Sequence, residues 1–155
     1  MAKNSRIADT ELRAFEKAAQ VCACANIRKL SRAVTQLFDQ SLEPSGLRST
    51  QLIILLEIAV ARSATVPGLA RRLVMDRSTL TRNLGPLVKR GLLKIDAIEG
   101  GRGQSYALGP KGMKALKAAV PLWEGAQARF VETLGDRQWR ALVAGLSAAV
   151  NAARR

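Results

Sequence analysis

The stretch from residue 66 to residue 106 constrains the fold more than any other part of this chain. Thr65 is placed to cap a helix that begins at Val66, and apolar residues then recur at helical spacing. After a tight break, Asp76 is placed to cap a second helix, which is predicted over Arg77–Gly91. Two helices joined by so short a break are typical of a helix-turn-helix.

A glycine-rich hairpin is predicted to follow the second helix. Residues 92–98 and 104–108 have the pattern of strands, and Glu99–Gly103 between them has the composition of a turn. A helix-turn-helix followed by such a hairpin is a winged helix-turn-helix, whose second helix enters the major groove of DNA. We therefore predict a mainly α fold with a small β-hairpin wing, in which a winged helix-turn-helix lobe is joined to a helical dimerisation lobe.

The overall charge indicates a polyanionic partner. The 155 residues carry a formal net charge of +13, and 48% of them are hydrophobic, which is ample for a packed core. DNA or an anionic membrane fits this charge, but the sequence has no apolar run of membrane-spanning length and no apolar signal core. We expect a cytoplasmic protein whose partner is double-stranded DNA and not a membrane.

The composition gives little support to enzymatic or metal chemistry. The chain contains no histidine, which is the commonest general base and a common metal ligand. Its only cysteines, Cys22 and Cys24, are too few for a four-ligand zinc site within one chain. The sequence also shows no nucleotide-binding loop, so we expect neither an enzyme nor a bound cofactor or metal.

The chain divides by pattern into three regions. They are an N-terminal helical region at 1–46, a DNA-binding lobe at 47–109 and C-terminal helices at 110–155. Both helical regions carry apolar stripes outside the middle lobe, and each stripe needs another surface to cover it. The two ends could pack on each other in a monomer or on a second copy of the chain, and a two-fold dimer is the commonest solution. We expect a homodimer built from the two terminal regions.

Several helix boundaries are predicted within these regions. Asp9–Leu42 is interpreted as one long helix or two in series, and the C-terminal region should break into two helices at Gly135. Ser49 is placed to cap a helix that runs to Ala61. The predicted buried side of that helix consists of Leu52, Leu55, Leu56 and Ala59.

The second helix of the winged lobe has one apolar and one polar side. Leu80, Leu84 and Leu87 are spaced to face the core. Opposite them lie Ser78, Thr81, Arg82, Gly85 and Lys89. Arginine can make two hydrogen bonds to guanine, and hydroxyl groups can contact base edges or phosphates. Singly, such residues are usually solvated surface groups. Because they are clustered on this motif, we predict that Arg77 and Arg82 contact phosphates or bases.

Pro86 and Arg102 bear on how this lobe would dock on DNA. Proline inside a helix removes a backbone hydrogen bond and costs ~3 kcal/mol, so we expect a kink after the DNA-contacting face or an end to that face by Gly85. Both outcomes keep the N-terminal turns available for bases. Arg102 lies at the tip of the hairpin, where it is placed to enter a narrow minor groove or is a solvated turn residue.

The winged lobe resembles that of the MarR family of bacterial transcriptional regulators. The matching segments are Asp76–Leu84, Lys89–Leu93, Arg102 and Leu108–Gly112, and the resemblance covers roughly residues 22–150. It implies a triangular homodimer, with a cleft between dimer and DNA lobes where ligands release the repressor. It also implies, by position, that the DNA contacts are Ser78, Thr79, Thr81, Arg82 and Arg102. The wing departs from the family pattern of an acidic residue followed by arginine, because two glycines separate Glu99 from Arg102.

Cys22 and Cys24 have two interpretations. Two residues apart on a helix, they point about 200° apart and cannot bond to each other while the helix holds. They are small packing residues, or they sense oxidants or thiophilic metals through a bridge that crosses chains or unwinds the helix start. Peroxide-sensing members of the family carry a reactive cysteine near this helix start, activated by tyrosines of the partner. The single tyrosine here, Tyr106, lies in the predicted wing.

A ligand cleft is the other candidate for control. Arg28 and Arg32, with Trp123 opposite, would suit a planar acid in the cleft that the resemblance implies, unless Trp123 is a core residue.

Taken together, these patterns predict a sequence-specific regulator of transcription, expected to be a repressor. It would bind a pseudopalindromic operator as a homodimer and be released by a small molecule, an oxidant or a thiophilic metal. The alternative is an architectural, weakly specific DNA-binding protein without an effector.

Overall fold

The computed structural model describes residues 9–97 and 103–154, and it confirms the predicted fold class. In chain order the elements are α1 (Asp9–Val21), α2 (Ala23–Leu42), a 3-10 turn (Glu43–Ser45), α3 (Ser49–Ala61), β1 (Ala64–Thr65), α4 (Val66–Leu73), α5 (Arg77–Lys89), β2 (Leu93–Ala97), β3 (Gln104–Leu108), α6 (Pro110–Leu134) and α7 (Asp136–Ala153). The chain divides into two compact units, one up to Leu37 and one from Phe38 onward.

The first unit consists of α1 and most of α2, so the N-terminal region is two helices in series. The interruption lies at Cys22, although the Cys22 N–H still donates to the Ala18 carbonyl at 3.0 Å. The side-chain amide of Asn26 donates to the carbonyls of Gln20 (2.8 Å) and Cys22 (3.0 Å). Because this amide competes with backbone N–H donors for the same carbonyls, it favours a break in the helix at this point.

The core of the second unit lies where α3, α4, α5 and the sheet meet. Its most deeply buried side chains are Leu42, Leu52, Ile54, Leu55, Ile58, Leu69, Leu80, Leu84 and Leu87. The predicted buried side of α3 is correct at Leu52 and Leu55. Leu56 and Ala59 are half-buried and pack against the same core, whereas the prediction omits the fully buried Ile54 and Ile58. α3 is apolar around most of its circumference, so helical spacing alone does not define a single buried face.

Side-chain caps fix the starts of α4 and α5 as predicted. The Thr65 hydroxyl accepts from the Gly68 N–H at 3.3 Å, and Asp76 Oδ1 accepts from the Thr79 N–H at 2.7 Å. The break between the two helices turns at Val74, whose left-handed backbone (φ 53°) is rare for a β-branched residue.

The predicted cap of α3 is wrong, because Ser49 is the first residue of the helix and not its cap. Its N–H donates to Asp39 Oδ1 at 2.7 Å, a carboxylate ten residues earlier in the chain. The Arg48 N–H, one residue before, donates to Gln51 Oε1 at 3.2 Å. An acceptor supplied from so far away by tertiary packing leaves no trace in local sequence spacing.

α5 continues through Pro86 and ends at Lys89, two residues before the predicted end at Gly91. Pro86 is exposed, and its carbonyl accepts from the Arg90 N–H at 3.0 Å. Gly91 adopts a positive φ of 70°, which ends the helix and favours glycine at this position. The Leu92 N–H then bonds back to the Leu87 carbonyl at 2.9 Å, so the start of the wing is tied to the last turn of α5.

The sheet has the order β1-β3-β2 and is antiparallel throughout. β3 matches its prediction, and β2 begins one residue later than predicted, while Ile98 and the predicted turn at residues 99–102 lie outside the described residues. β1 is not predicted from sequence, because its two residues are too few to show a periodic pattern. Ala64 pairs with Tyr106 and Thr65 with Ser105, so β1 joins the start of α4 to the wing.

α6 is joined to the base of the wing by direct backbone contact. The Gly109 N–H donates to the Leu92 carbonyl oxygen at 2.9 Å. A Cβ placed on Gly112 would lie 2.0 Å from that same oxygen, so only glycine fits there. The tight approach fixes where α6 leaves the winged lobe.

α6 and α7 are separated at Gly135, as predicted, where the backbone adopts a φ of 89°. The rings of Phe130 and Trp139 pack edge to face across the junction, with centroids 6.0 Å apart. Most of α7 is exposed, including Leu146 and Val150. No helix within residues 9–97 and 103–154 is long and apolar enough to cross a membrane.

We predict that Gly112→Ala lowers the free energy of unfolding by ~1–3 kcal/mol, because a methyl group cannot share space with the Leu92 carbonyl oxygen. Gly145→Ala is the matched control, since a Cβ there meets no atom within 4 Å. The control should stabilise α7 by ~0.5–1 kcal/mol through reduced backbone entropy of the unfolded chain. Urea unfolding measures both, and equal effects of the two substitutions would contradict the contact.

A second prediction concerns the cap of α5. Hydrogen bonds, first from the Ser78 hydroxyl and then from Thr79, hold the pKa of Asp76 far below its ordinary value of 3.8. A carboxylate whose pKa is lowered by folding stabilises the fold above that ordinary value, and the contribution is lost as the pH falls through the folded-state pKa. Asp76→Ala should therefore lower the melting temperature near neutral pH, and its deficit should shrink below pH 3.8.

Asp136→Ala is the control, because Asp136 also begins a helix but is exposed beside Arg140 at 3.8 Å. Thermal melts between about pH 7 and pH 2.5 compare the two variants with the native chain. A deficit for Asp76→Ala that stays constant through acid would show that its carboxylate charge does not contribute.

Candidate nucleic-acid interface

α5 presents one buried and one exposed side, as the spacing predicts. Leu80, Leu84 and Leu87 each retain 1% or less of their accessible surface. The exposed side carries Arg77, Ser78, Thr81, Arg82, Gly85 and Lys89. Because α4 and β2 both pack against α5, the helix is held with its polar side outward.

The N-terminus of α5 is organised around the carboxylate of Asp76. Its Oδ1 accepts from the Ser78 hydroxyl and from the Thr79 N–H, each at 2.7 Å. These bonds lower the pKa of Asp76, so the group is a carboxylate at any physiological pH. A negative charge at a helix N-terminus also interacts favourably with the helix dipole.

A second set of bonds orders the side chains one turn further on. Arg82 Nη2 donates to the Thr79 hydroxyl oxygen at 3.1 Å, and the Thr81 hydroxyl donates to the Arg77 carbonyl at 2.8 Å. Thr79 is half-buried, unlike its neighbours on the exposed side, and its hydroxyl is directed to the guanidinium. One N–H of the exposed Arg82 guanidinium is therefore bonded within α5, and the bond directs the side chain along the helix.

Two arginines of the same lobe bond to other groups of the chain. Arg72 Nε lies 2.6 Å from Glu57 Oε2 of α3, and Arg90 Nη2 donates to the Gly46 carbonyl at 2.9 Å. Both arginines are exposed, yet their guanidinium groups bond within the chain, which charge clustering in the sequence does not reveal. Lys94, on β2, remains exposed.

The wing arginine that was a candidate for the minor groove, Arg102, lies outside the described residues. The adjoining Gly103 adopts a φ of 135°, and Gln104 opens β3. Tyr106 on the same strand is buried in the core at 8% exposure. It is therefore not accessible to a cysteine of another chain.

The candidate effector residues fall in both compact units. Cys22 and Cys24 are exposed in the first unit, as are Arg28 and Arg32 on α2. Trp123, on α6 in the second unit, is 37% exposed and is therefore not a core residue. A cleft shared by these residues stays a prediction. Within the part of the chain that the structure describes, no three His, Cys, Asp or Glu side chains cluster as a metal site would require.

Arg154, at the end of α7, makes a contact that sequence patterns do not indicate. Its Nη2 donates at 3.1 Å to the carbonyl of Arg71, in the last turn of α4. The Ala70 carbonyl of the same turn accepts from the Met75 N–H at 3.0 Å. Carbonyls at a helix C-terminus need outside donors, and a cation suits that end of the helix dipole.

Comparison with known proteins agrees with this geometry. A model of the MarR family matches residues 45–103, from the end of the 3-10 turn to the wing. The transcriptional regulator MosR of M. tuberculosis is 37% identical, over 87% of this chain and 99% of that chain, with a TM-score of 0.75. The structure of that regulator with DNA is 38% identical, over 86% of this chain and 99% of that chain, also with a TM-score of 0.75.

A more distant structure shows the same fold. A mutant of MarR from E. coli, complexed with operator DNA, is 20% identical over 85% of this chain and 96% of that chain, with a TM-score of 0.77. None of the curated proteins compared with the chain matches it. The family model and the MosR structures together identify the chain, which belongs to the MarR family of transcriptional regulators and is not an enzyme.

Proposed function

We propose that this regulator is a homodimeric repressor that binds a pseudopalindromic operator through α5 and the wing. The observation that carries the proposal is the ordered polar surface at the N-terminus of α5, where Asp76 and Thr79 hold the groups beside them. The N-terminal turns of a recognition helix are the ones that contact base edges in the major groove. The solved complexes of related regulators with DNA support the same assignment.

Different roles are proposed for the basic residues of this surface. Arg82 is proposed to contact bases, because a planar guanidinium can donate two hydrogen bonds to the two acceptors of guanine while one N–H stays bonded to Thr79. Arg77 and Lys89 are exposed at the two ends of α5, where they suit phosphates on either side of the groove. Arg102 is proposed to enter the minor groove beside the half-site.

Uncovered apolar surface on the terminal helices supports the homodimer. Phe15 on α1 is 58% exposed, and Val143, Leu146 and Val150 form an exposed stripe along α7. Side chains of this size are normally covered in a stable protein, and a second copy of the chain is the partner that a two-fold operator requires. Such a dimer would place two α5 helices roughly 34–36 Å apart, on successive major grooves.

The prediction that tests this function concerns sequence preference. The native chain should select one inverted-repeat site from a random DNA pool and prefer it over random DNA by a factor on the order of 10³. Sedimentation should find two chains on each site. Arg82→Ala should weaken binding by ~1–3 kcal/mol per half-site and relax the base preference at one position in each half.

Lys94→Ala is the control, since Lys94 is a basic residue of the same lobe that lies on β2 and not on α5. It should reduce affinity similarly for all sequences and leave the selected site unchanged. A chain that binds all DNA alike would instead be the architectural protein that its charge alone allows. A single chain on each site would contradict the dimer.

The two cysteines are the proposed site of an oxidant or thiophilic-metal signal. Both are exposed, and Cys22 occupies the interruption between α1 and α2, where the backbone already departs from regular helix. A bridge that requires the helix start to unwind, or one that crosses to the partner chain, has less structure to disrupt here than inside a continuous helix. Either change would act on the helices proposed to form the dimer.

We predict that mild peroxide lowers operator affinity of the native chain, and that the double variant Cys22→Ser, Cys24→Ser binds equally well but does not respond. Non-reducing gels and thiol titration would identify which bridge forms. Unchanged binding by a chain whose thiols have been oxidised would exclude a redox signal. A planar acid bound beside Arg28 and Arg32 would then be the better effector, and binding of salicylate as a probe would test it.

A further inference from the structure

Two hydroxyl groups on the exposed side of α5 have their hydrogen atoms already engaged. The Ser78 hydroxyl lies 2.7 Å from Asp76 Oδ1, and the Thr81 hydroxyl lies 2.8 Å from the Arg77 carbonyl oxygen. A carboxylate and a backbone carbonyl can only accept hydrogen bonds. The hydrogen in each pair therefore belongs to the hydroxyl and points to that acceptor. What each hydroxyl offers to a ligand is its lone pairs.

The two internal bonds are maintained for different reasons. Asp76 is held as a carboxylate by a strongly lowered pKa, so the bond from Ser78 is charge-assisted and among the stronger kinds. The bond from Thr81 joins residues four apart in one helix, a geometry that threonine adopts readily because its side chain has few rotamers. Turning either hydroxyl outward to donate would leave its acceptor without that bond.

This polarity matters because DNA offers both kinds of partner. Phosphate oxygens can only accept hydrogen bonds, so a hydroxyl whose hydrogen is already bonded within the protein cannot donate to them. In the major groove, the amino groups of adenine (N6) and cytosine (N4) donate, whereas guanine and thymine present acceptors and a methyl group. Hydroxyl oxygens that can only accept therefore favour some DNA bases over others and do not favour the DNA phosphates.

We propose that Ser78 and Thr81 are specificity-determining acceptors, which bind the amino groups of adenine or cytosine in each half of the operator. The proposal rests on the proposed operator-binding function and adds the hydrogen-bond polarity of its contacts. Ser78 and Thr81 are three residues apart and hence neighbours on one helix face, with Arg82 one turn from Ser78. The face thus offers two acceptors beside one donor group, which suits a base step containing guanine next to an adenine or cytosine.

The test combines protein variants with modified bases. Thr81→Val keeps the shape of the side chain and removes the oxygen, and Ser78→Ala does the same for the shorter side chain. In the selected operator, each adenine or cytosine of a half-site is replaced in turn by its analogue without the exocyclic amino group, which is purine for adenine and 2-pyrimidinone for cytosine. Affinity is measured for every protein and DNA pair.

We expect one position per half-site at which loss of the amino group weakens native binding about fivefold, the factor expected for one hydrogen bond. Thr81→Val should bind normal and modified DNA at that position with equal affinity. Ser78→Ala should show the same equality at a different position. Thr133→Val is the matched control, because the Thr133 hydroxyl donates to the Arg129 carbonyl at 2.8 Å in the same geometry but on α6.

Three results would overturn the proposal. The first is that, at every position, removal of the amino group weakens binding of Thr81→Val and of Ser78→Ala as much as it weakens binding of the native chain. The second is that their loss disappears when a single phosphate is replaced by methylphosphonate, which would make the hydroxyls phosphate donors. The third is that selection yields no preferred site, which would remove the proposed operator-binding function as well. If a preferred site is found but the variants respond to the modified bases as the native chain does, only the acceptor roles of Ser78 and Thr81 are contradicted, and the operator-binding function stands. Thermal melts of each variant confirm that it is folded.

Discussion

The carboxylate of Asp76 accepts the hydrogen bonds on which the proposed DNA-binding surface depends. It caps the first turn of α5, and it accepts a hydrogen bond from the Ser78 hydroxyl. The Thr79 N–H that it fixes belongs to the residue whose hydroxyl in turn holds Arg82. One acidic side chain in a strongly basic lobe therefore sets both the start of the helix and the orientation of its polar groups. Those same hydrogen bonds lower the pKa of Asp76 below its ordinary value, so the carboxylate that is ionised at neutral pH stays ionised further into acid.

The parts of this fold that depend on local chemistry are predictable from the sequence. Thr65 and Asp76 cap helices by contacts within three residues, and the leucines of α5 face the core at the spacing that a helix imposes. The failures have a common cause. Ser49 bonds to Asp39 through tertiary packing, and β1 exists only because β3 lies beside it. Neither contact has a periodic pattern that a single sequence could display.

The candidate site shows the same division. The exposed side of α5 follows from helical spacing, but the direction in which each hydroxyl points does not. Charge clustering also fails to show which exposed arginines are paired within the chain, as Arg72 is with Glu57. Only the distances between atoms show that pairing, because a guanidinium is equally able to bind a carboxylate of its own chain or a phosphate.

The contact between Gly112 and the Leu92 carbonyl oxygen fixes the start of α6 against the base of the wing, so the rest of α6 can tilt only about this point. The contact is between backbones, so no change of side-chain rotamer can loosen it. α6 extends ~33 Å from this point, and Leu92 is itself bonded to the Leu87 carbonyl in the last turn of α5. A tilt imposed at the far end of α6 would therefore be transmitted first to the short segment between α5 and β2, which sets the angle between α5 and the wing.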